Sequence, residues 1–497
     1  MQINLSLDHV RRHNKTLELI TLKTMFQIQF NLAPSGCRVV AMLLTLSATL
    51  LPTITPADEP SLSNESRQFW AFQPVKRSSP PRVQDPAWSR NAVDEFILNK
   101  LEGRGLHPAP VATKEELIRR VYFDVIGLPP SPEEVQAFIQ DKSTDAYERL
   151  VDRVLSSPHY GEHWGRHWLD VVRFAETEGF EYDRPIPDAW RYRDYVISSL
   201  NQDKPFDRFI LEQLAGDEID PENPELLTAS IFHRLGPVRR NAGNAEVASS
   251  RNEVLTERTD ILGSAFLGLT VGCARCHDHK FDPIPQQDYY RLEAYLSATQ
   301  EHDVILASET EKAAWAAKTE EVNTKLKRLK KEASQATGET RDEITKQIED
   351  LEDQVPQQPP TIPSTRNEEA KRTEIHVLKR GDWEKKGQQV GPRGLSVLVS
   401  NETPELLPDI VQPRTRLAKW LIDPQHPLTA RVLVNRLWEH HFGQGIVKTP
   451  NDFGHNGDRP SHPELLDWLA VDFIEHGWST KWLHRTIMLS ATYRQTS

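Results

Sequence analysis

Residues 268–282 read Gly-Leu-Thr-Val-Gly-Cys-Ala-Arg-Cys-His-Asp-His-Lys-Phe-Asp, and no other stretch constrains the chain so tightly. Two of its three cysteines, Cys273 and Cys276, lie three residues apart, and His277 follows directly. That order places two thiols and an imidazole on one short loop. Cys-x-x-Cys-His is the attachment spacing of c-type haem. Each thiol adds to one vinyl group of the macrocycle, and the histidine that follows reaches the iron as proximal ligand. With 3 Cys and 18 His in 497 residues, chance yields the pattern on the order of 10⁻³ times.

Other chemistries use the same residues. Cys273 and Cys276 can close a short-loop disulfide in an oxidising compartment, or cycle as a redox dithiol. A structural zinc site needs four ligands, and the sequence has no second cysteine pair, so His279 and a remote histidine would have to complete it.

The compartment bears on that choice. Arg38 precedes an apolar run from Val39 to Leu51, and small residues follow at Thr55-Pro56-Ala57. This is the layout of an export signal, here behind an unusually long basic leader, so residues 1–57 are expected to be a signal region. The run is short for a membrane span, and after signal removal the chain is not expected to be an integral membrane protein. Export accords with covalent haem, which bacteria attach outside the cytoplasm; the expected location is the periplasm or cell surface. Formal net charge is −12, and the leader is basic, so the rest is more acidic still. That disfavours nucleic acid and anionic membrane surfaces as partners.

From Ala92 the pattern is helical. Thr113-x-x-Glu116 and Ser131-Pro-x-Glu134 are capping boxes. Apolar residues recur at helical spacing at Val121 and Val125, and at Leu150, Val151, Val154 and Leu155. A helix over 158–176 carries His163, His167 and Asp170 at i, i+4 and i+7, hence on one face. Such a face presents metal ligands or belongs to a core helix with satisfied histidines. A further helix over 253–267 leads into the cysteine loop, and another after Pro283 carries Tyr289, Tyr290, Leu292 and Tyr295. Residues 309–353 are charge-rich with heptad-like spacing, which predicts a helical hairpin or short coiled coil. Short strands are expected at 374–378 and 395–399. The last stretch, 411–497, is helical again and dense in histidine and aromatics, including His440, His441 and Asp452-Phe-Gly-His-Asn-Gly457. The expected fold is mainly α: a helical domain with the Cys-x-x-Cys-His loop over 66–300, a charged helical arm over 309–357, and a smaller helical domain with a few short strands over 370–497. The aromatic patch Gln68-Phe-Trp-Ala-Phe-Gln73 is expected to pack onto the domain that follows it.

Several longer stretches carry a resemblance. Val125-Ile-Gly-Leu-Pro-Pro130, Tyr160-Gly-Glu-His-Trp-Gly-Arg-His-Trp-Leu-Asp170 and the run from Leu267 through the cysteine loop to Ile284 belong to one pattern. Leu428-Thr-Ala-Arg-Val-Leu-Val-Asn-Arg436, His440-His-Phe-Gly443 and His462-Pro-Glu-Leu-Leu-Asp-Trp468 belong to another. Together they resemble large exported planctomycete proteins of unknown function, which join a planctomycete cytochrome domain to a C-terminal planctomycete-specific domain. The resemblance implies export, covalent haem c and large size. Many such proteins carry a further N-terminal cytochrome-like domain with its own Cys-x-x-Cys-His, which this sequence lacks. Their C-terminal domain usually runs past this chain's last residue, which implies a truncated product.

The leading expectation is therefore a haem c protein in electron transfer or haem-based redox chemistry, serving an unidentified redox partner protein. Cys273 and Cys276 are the thioether anchors and His277 the proximal ligand. Small cytochromes often place methionine on the distal side, but between Met42 and Met488 there is none. His167 is the expected distal ligand, with Asp170 orienting its ring. The competing expectations are a non-haem surface scaffold with a Cys273–Cys276 disulfide, and a carbohydrate hydrolase using a pair among Asp170, Glu176 and Asp183.

Overall fold

Local capping chemistry sets where the first three long helices begin. The computed structural model describes residues 64–180, 182–239 and 244–496; the signal region lies outside them. Helix α1 (Ala92–Glu102) starts at a box formed by Asn91 and Asp94. Helix α2 (Lys114–Ile126) starts at the expected Thr113–Glu116 box, and α3 (Pro132–Gln140) at Ser131–Glu134. Each box satisfies two orphan N–H groups of its first turn. Helix α4 (Ala146–Leu155) buries the stripe Leu150, Val151, Val154 and Leu155. Helix α5 (His159–Val171) stops short of the expected end because Arg173 takes a left-handed φ of 59°. It lies along α6 (Trp190–Asn201), and α7 (Phe206–Ile219) and α8 (Pro224–Ala229) follow. Helix α9 (Asn244–Leu262) begins earlier than expected and widens into one π-helical turn over Gly263–Leu267. Beyond the cysteine loop comes α10 (Gln286–Ala294).

Strand β1 (Thr299–Ile305) pairs antiparallel with β2 (Thr361–Asn367), Thr299 opposite Asn367 and Ile305 opposite Thr361. The charged arm is inserted between these strands as α11 (Glu309–Gln335) and α12 (Glu339–Glu352). Only Val322 and Leu326 of α11 are buried and no residue of α12 is, so the hairpin rests on pairs such as Lys330–Glu352 at 2.7 Å. A second ribbon joins β3 (His376–Leu378) to β4 (Lys386–Gln389). The strand expected at 395–399 is a turn instead. Ser396 gives its N–H and hydroxyl to the buried Asp288 carboxylate, at 2.6 and 2.7 Å, which bends the backbone away from a ladder.

The final helices are α13 (Pro413–Leu421), α14 (Thr429–Phe442), α15 (Pro463–Glu475) and α16 (Thr480–Leu489). From Leu62 onward the chain is one compact unit, and residues from both helical stretches line one hydrophobic core. Helix α13 packs on α7, α16 on α4, and α14 on the π-helical turn. The α13–α7 contact centres on Arg414, which is fully buried. Its guanidinium donates to both Asp217 carboxylate oxygens at 2.6 Å and to Asn367 Oδ1 at 3.1 Å. Glu218 accepts from the N–H and hydroxyl of Thr415, both at 2.8 Å. Among the described residues, no helix is long and apolar enough to cross a membrane.

Breaking a buried pair by removing one partner leaves a charge that water cannot reach, at a cost of about 3–5 kcal/mol. Asp217→Ala is expected to lower stability by about that amount in urea denaturation, whereas Lys330→Ala on the exposed arm should change it by less than about 1 kcal/mol.

Candidate functional site

The cysteine loop hangs from α10. Tyr290 Oη donates to Arg275 O at 2.8 Å, and Gln286 Nε2 donates to Arg275 O and Leu378 O at 2.8 and 2.7 Å. The Gln286 N–H donates to Asp278 Oδ1 at 2.8 Å. Val271 and Ala274 point inward and are buried, while Cys273 and Cys276 face outward, exposed and unpaired. His277 is exposed too, and its Nδ1 donates to Asp278 O at 2.7 Å. A carbonyl can only accept, so that ring carries its proton on Nδ1 and keeps its lone pair on Nε2. Two free thiols and an imidazole with an available Nε2 are the donor set that covalent haem requires. Phe281, 51% exposed, adds apolar surface to the same loop. Among the described residues, no group of three or more His, Cys, Asp or Glu is placed to hold a metal ion, so a fourfold zinc set is not assembled around the cysteines.

Behind the loop lies an arrangement that joins the two motif-rich stretches. His279 is buried; its Nδ1 accepts from the Asp282 N–H at 2.9 Å, so Nε2 carries the proton and donates to Thr270 Oγ1 at 3.0 Å. The Asp282 carboxylate is wholly buried, and Oδ1 accepts from the backbone N–H of His455 at 2.7 Å and lies 3.0 Å from its Nδ1. A Cβ on Gly454 would come within 2.2 Å of Asp282 Oδ2, so only glycine admits this approach. The Phe453 N–H donates to Gly268 O at 2.7 Å, and Phe69 stacks on the His455 ring at 3.9 Å. Phe69 and Trp70 of the N-terminal aromatic patch thus pack on the Asp452–Gly457 loop, at the far end of the sequence, while Ala71 and Phe72 share the core with Val93 and Phe96 of α1.

His167 lies elsewhere. Its ring stacks on His440 at 3.7 Å, in a group of five histidines around Trp164. His163 is 5.1 Å from His167, and His484 is 4.1 Å from Trp164. His441 Nε2 and His484 Nδ1 share a hydrogen bond of 2.8 Å. Trp164, His167, His440 and His484 line a cavity of about 50 Å³ to which the cysteine loop contributes no wall. Asp170 is exposed, and His440, not Asp170, is the partner stacked on the His167 ring. Burial pushes His167 down to about 3, with the His440 charge adding to the effect, and His440 to about 4, with His441 adding. His484 is driven well below the usual range by burial and then by His441. The sequence pattern showed the pairs 163/167 and 440/441 but not their convergence, which depends on α14 and α16 packing across α5.

Residues 92–301 match the family model PSCyt2, described as a protein of unknown function (DUF1549), and residues 413–497 match PSD1, likewise described (DUF1553). The chain is thus similar to planctomycete-type domains of unknown function, one containing the cysteine loop and the other the Asp452–Gly457 loop. No curated protein and no solved structure matches.

The histidine group has a pH consequence with a definite sign. The folded-state values of His167 and His440 lie below the unfolded value of about 6.5. The unfolded chain therefore takes up protons first, so stability is full above about pH 6.5 and lost as pH falls toward 4. Urea midpoints measured across that window should fall, and should fall less in a His167→Gln/His440→Gln variant.

Proposed function

We propose that this chain is an exported c-type haem protein, anchored through Cys273 and Cys276, with His277 as proximal ligand. Its work is electron transfer or haem-based redox chemistry with a redox partner protein. The observation that carries this reading is the loop itself: two exposed, unpaired thiols at the attachment spacing, and a histidine whose Nδ1–H···O=C bond leaves Nε2 for iron. Bound there, haem would supply a one-electron couple. The chain's part is to hold the loop rigid through Gln286, Tyr290 and Asp282, and to orient the His277 ring through Asp278 O.

A dithiol reading retains one supporting observation, that both cysteines are free and exposed. The two separate cleanly. Chain matured in a host with haem-attachment machinery should keep a peroxidase-active stain after denaturing electrophoresis, and Cys273→Ser/Cys276→Ser should lose it. A matured wild-type chain without that stain rules out covalent haem and leaves the dithiol.

His167 belongs to a cavity walled by Trp164, His440 and His484, so His167→Ala is expected to leave the visible spectrum of haem-loaded protein unchanged. A change from a low-spin to a high-spin spectrum would place His167 on the iron.

A further inference from the structure

The cysteine loop rests on a buried set of acids that the reading above does not use. Helix α9 presents Thr256 and Asp260, one turn apart, and α10 presents Tyr289 and Glu293, also one turn apart; the two helices pack together. Glu293 Oε2 is buried without a hydrogen-bond partner, and Asp260 Oδ1, Tyr289 Oη and Thr256 Oγ1 are buried with no partner but one another, Tyr289 lying against both Thr256 and Asp260. An orphaned buried polar atom costs about 1–3 kcal/mol, so a chain of under-satisfied acid and hydroxyl groups on one helix pair calls for a use, and holding water or exchanging protons is one.

The set has two ends. At one, Asp260 lies against the backbone that precedes Cys273: a Cβ on Gly272 would stand 2.8 Å from Asp260 Oδ1. At the other, Glu293, 3% exposed, floors a cleft of about 400 Å³ walled by Arg251, Leu255, Ile375, Trp383 and Lys386. Tyr289 lies between and feels the charge of both acids. The charged groups facing them are few. Glu257, Arg275 and Arg173 act on Asp260, and Arg275 and Arg251 on Glu293. Arg251 is already engaged, donating to Thr373 Oγ1 at 3.1 Å and to Ser297 O at 3.0 Å. Neither acid therefore has a dedicated cation. Burial, reinforced by Glu257, raises Asp260 to about 6; burial also raises Glu293 to about 8 despite Arg275.

We propose that Glu293, Tyr289 and Asp260 form a buried proton path from the cleft to the base of the Cys-x-x-Cys-His loop, so that electron uptake at the loop draws in a proton. This rests on the redox reading of the loop. The step balances simply. A one-electron donor adds an electron to the loop's redox centre, and a proton from water in the cleft passes through Glu293 and Tyr289. It ends as an O–H bond on the Asp260 carboxylate, offsetting the added negative charge.

The test uses the full haem-loaded chain, with infrared difference spectra of the reduced minus the oxidised state and midpoint potentials across pH. Reduction should gain a protonated-carboxyl band that Asp260→Asn abolishes. Between about pH 6 and 8 the midpoint should fall by up to about 59 mV per pH, the one-electron equivalent of tenfold. Asp260→Asn should flatten that slope, and Glu293→Gln should slow proton uptake from a dye-buffered solution. A wild-type chain with haem, a pH-independent midpoint and no carboxyl band overturns the path while leaving the haem reading intact. If no haem attaches, the same spectrum is taken across dithiothreitol reduction of the Cys273–Cys276 pair. A carboxyl signal there, absent in Asp260→Asn, retires the haem reading and supports the path; no signal there overturns the path.

Discussion

The Asp282 carboxylate holds the two ends of this molecule together. It is wholly buried and leaves one oxygen on the backbone N–H and ring of His455. A buried carboxylate without partners would be expelled or protonated, so the loop carrying His455 has to stay where it is for Asp282 to stay inside. Asp282 in turn fixes the exit of the cysteine loop: the Ile284 N–H donates to Asp282 O at 2.8 Å, and the His279 N–H to Ile284 O at 2.9 Å. The outward aim of Cys273, Cys276 and His277 is thus set partly by residues more than 170 positions away. Arg414 on Asp217 does the same for α13 on α7, and Arg436 for α14, donating to Ala265 O and Ser264 O, both at 2.6 Å.

What could be read from the sequence was what local chemistry decides. The boxes at Thr113 and Ser131 depend on residues three apart, and the arm depends on charge density with little apolar content; both stand as expected. The strand at 395–399 failed because Asp288, more than a hundred positions earlier, captured Ser396. Strands β1 and β2 were missed because each satisfies its ladder only against a partner on the other side of a long hairpin. Periodicity marked which faces are apolar without naming what covers them, so the shared core of the two helical stretches was not legible. The five-histidine group was hidden for the same reason: its members sit on three helices with no common spacing.

The placement of charge separates the two histidine-bearing regions. Among the described residues, the carboxylate paired with the histidine group around Trp164 is Asp124, with Oδ2 3.8 Å from His441 Nδ1 and already accepting from Tyr493 Oη at 2.6 Å. The neutral rings of His167, His440 and His484 in this cavity suit packing near neutral pH. Around the cysteine loop, His279 and His455 lie against a carboxylate, and Asp260 and Glu293 lie beneath the loop without a dedicated cation. Groups that can compensate a change of charge lie beside the loop and not in the aromatic cavity.

The two matched segments meet at the cysteine loop. The N-terminal segment carries the thiols and His277, and α9 and α10 with their buried acids. The C-terminal segment supplies the backbone of Phe453 and the ring and N–H of His455 that brace the loop from behind. A loop with exposed thiols and so few inward side chains would otherwise be free to open, because local stability follows buried contacts. The ring and N–H of His455 thus touch the Asp282 carboxylate at the exit of the cysteine loop.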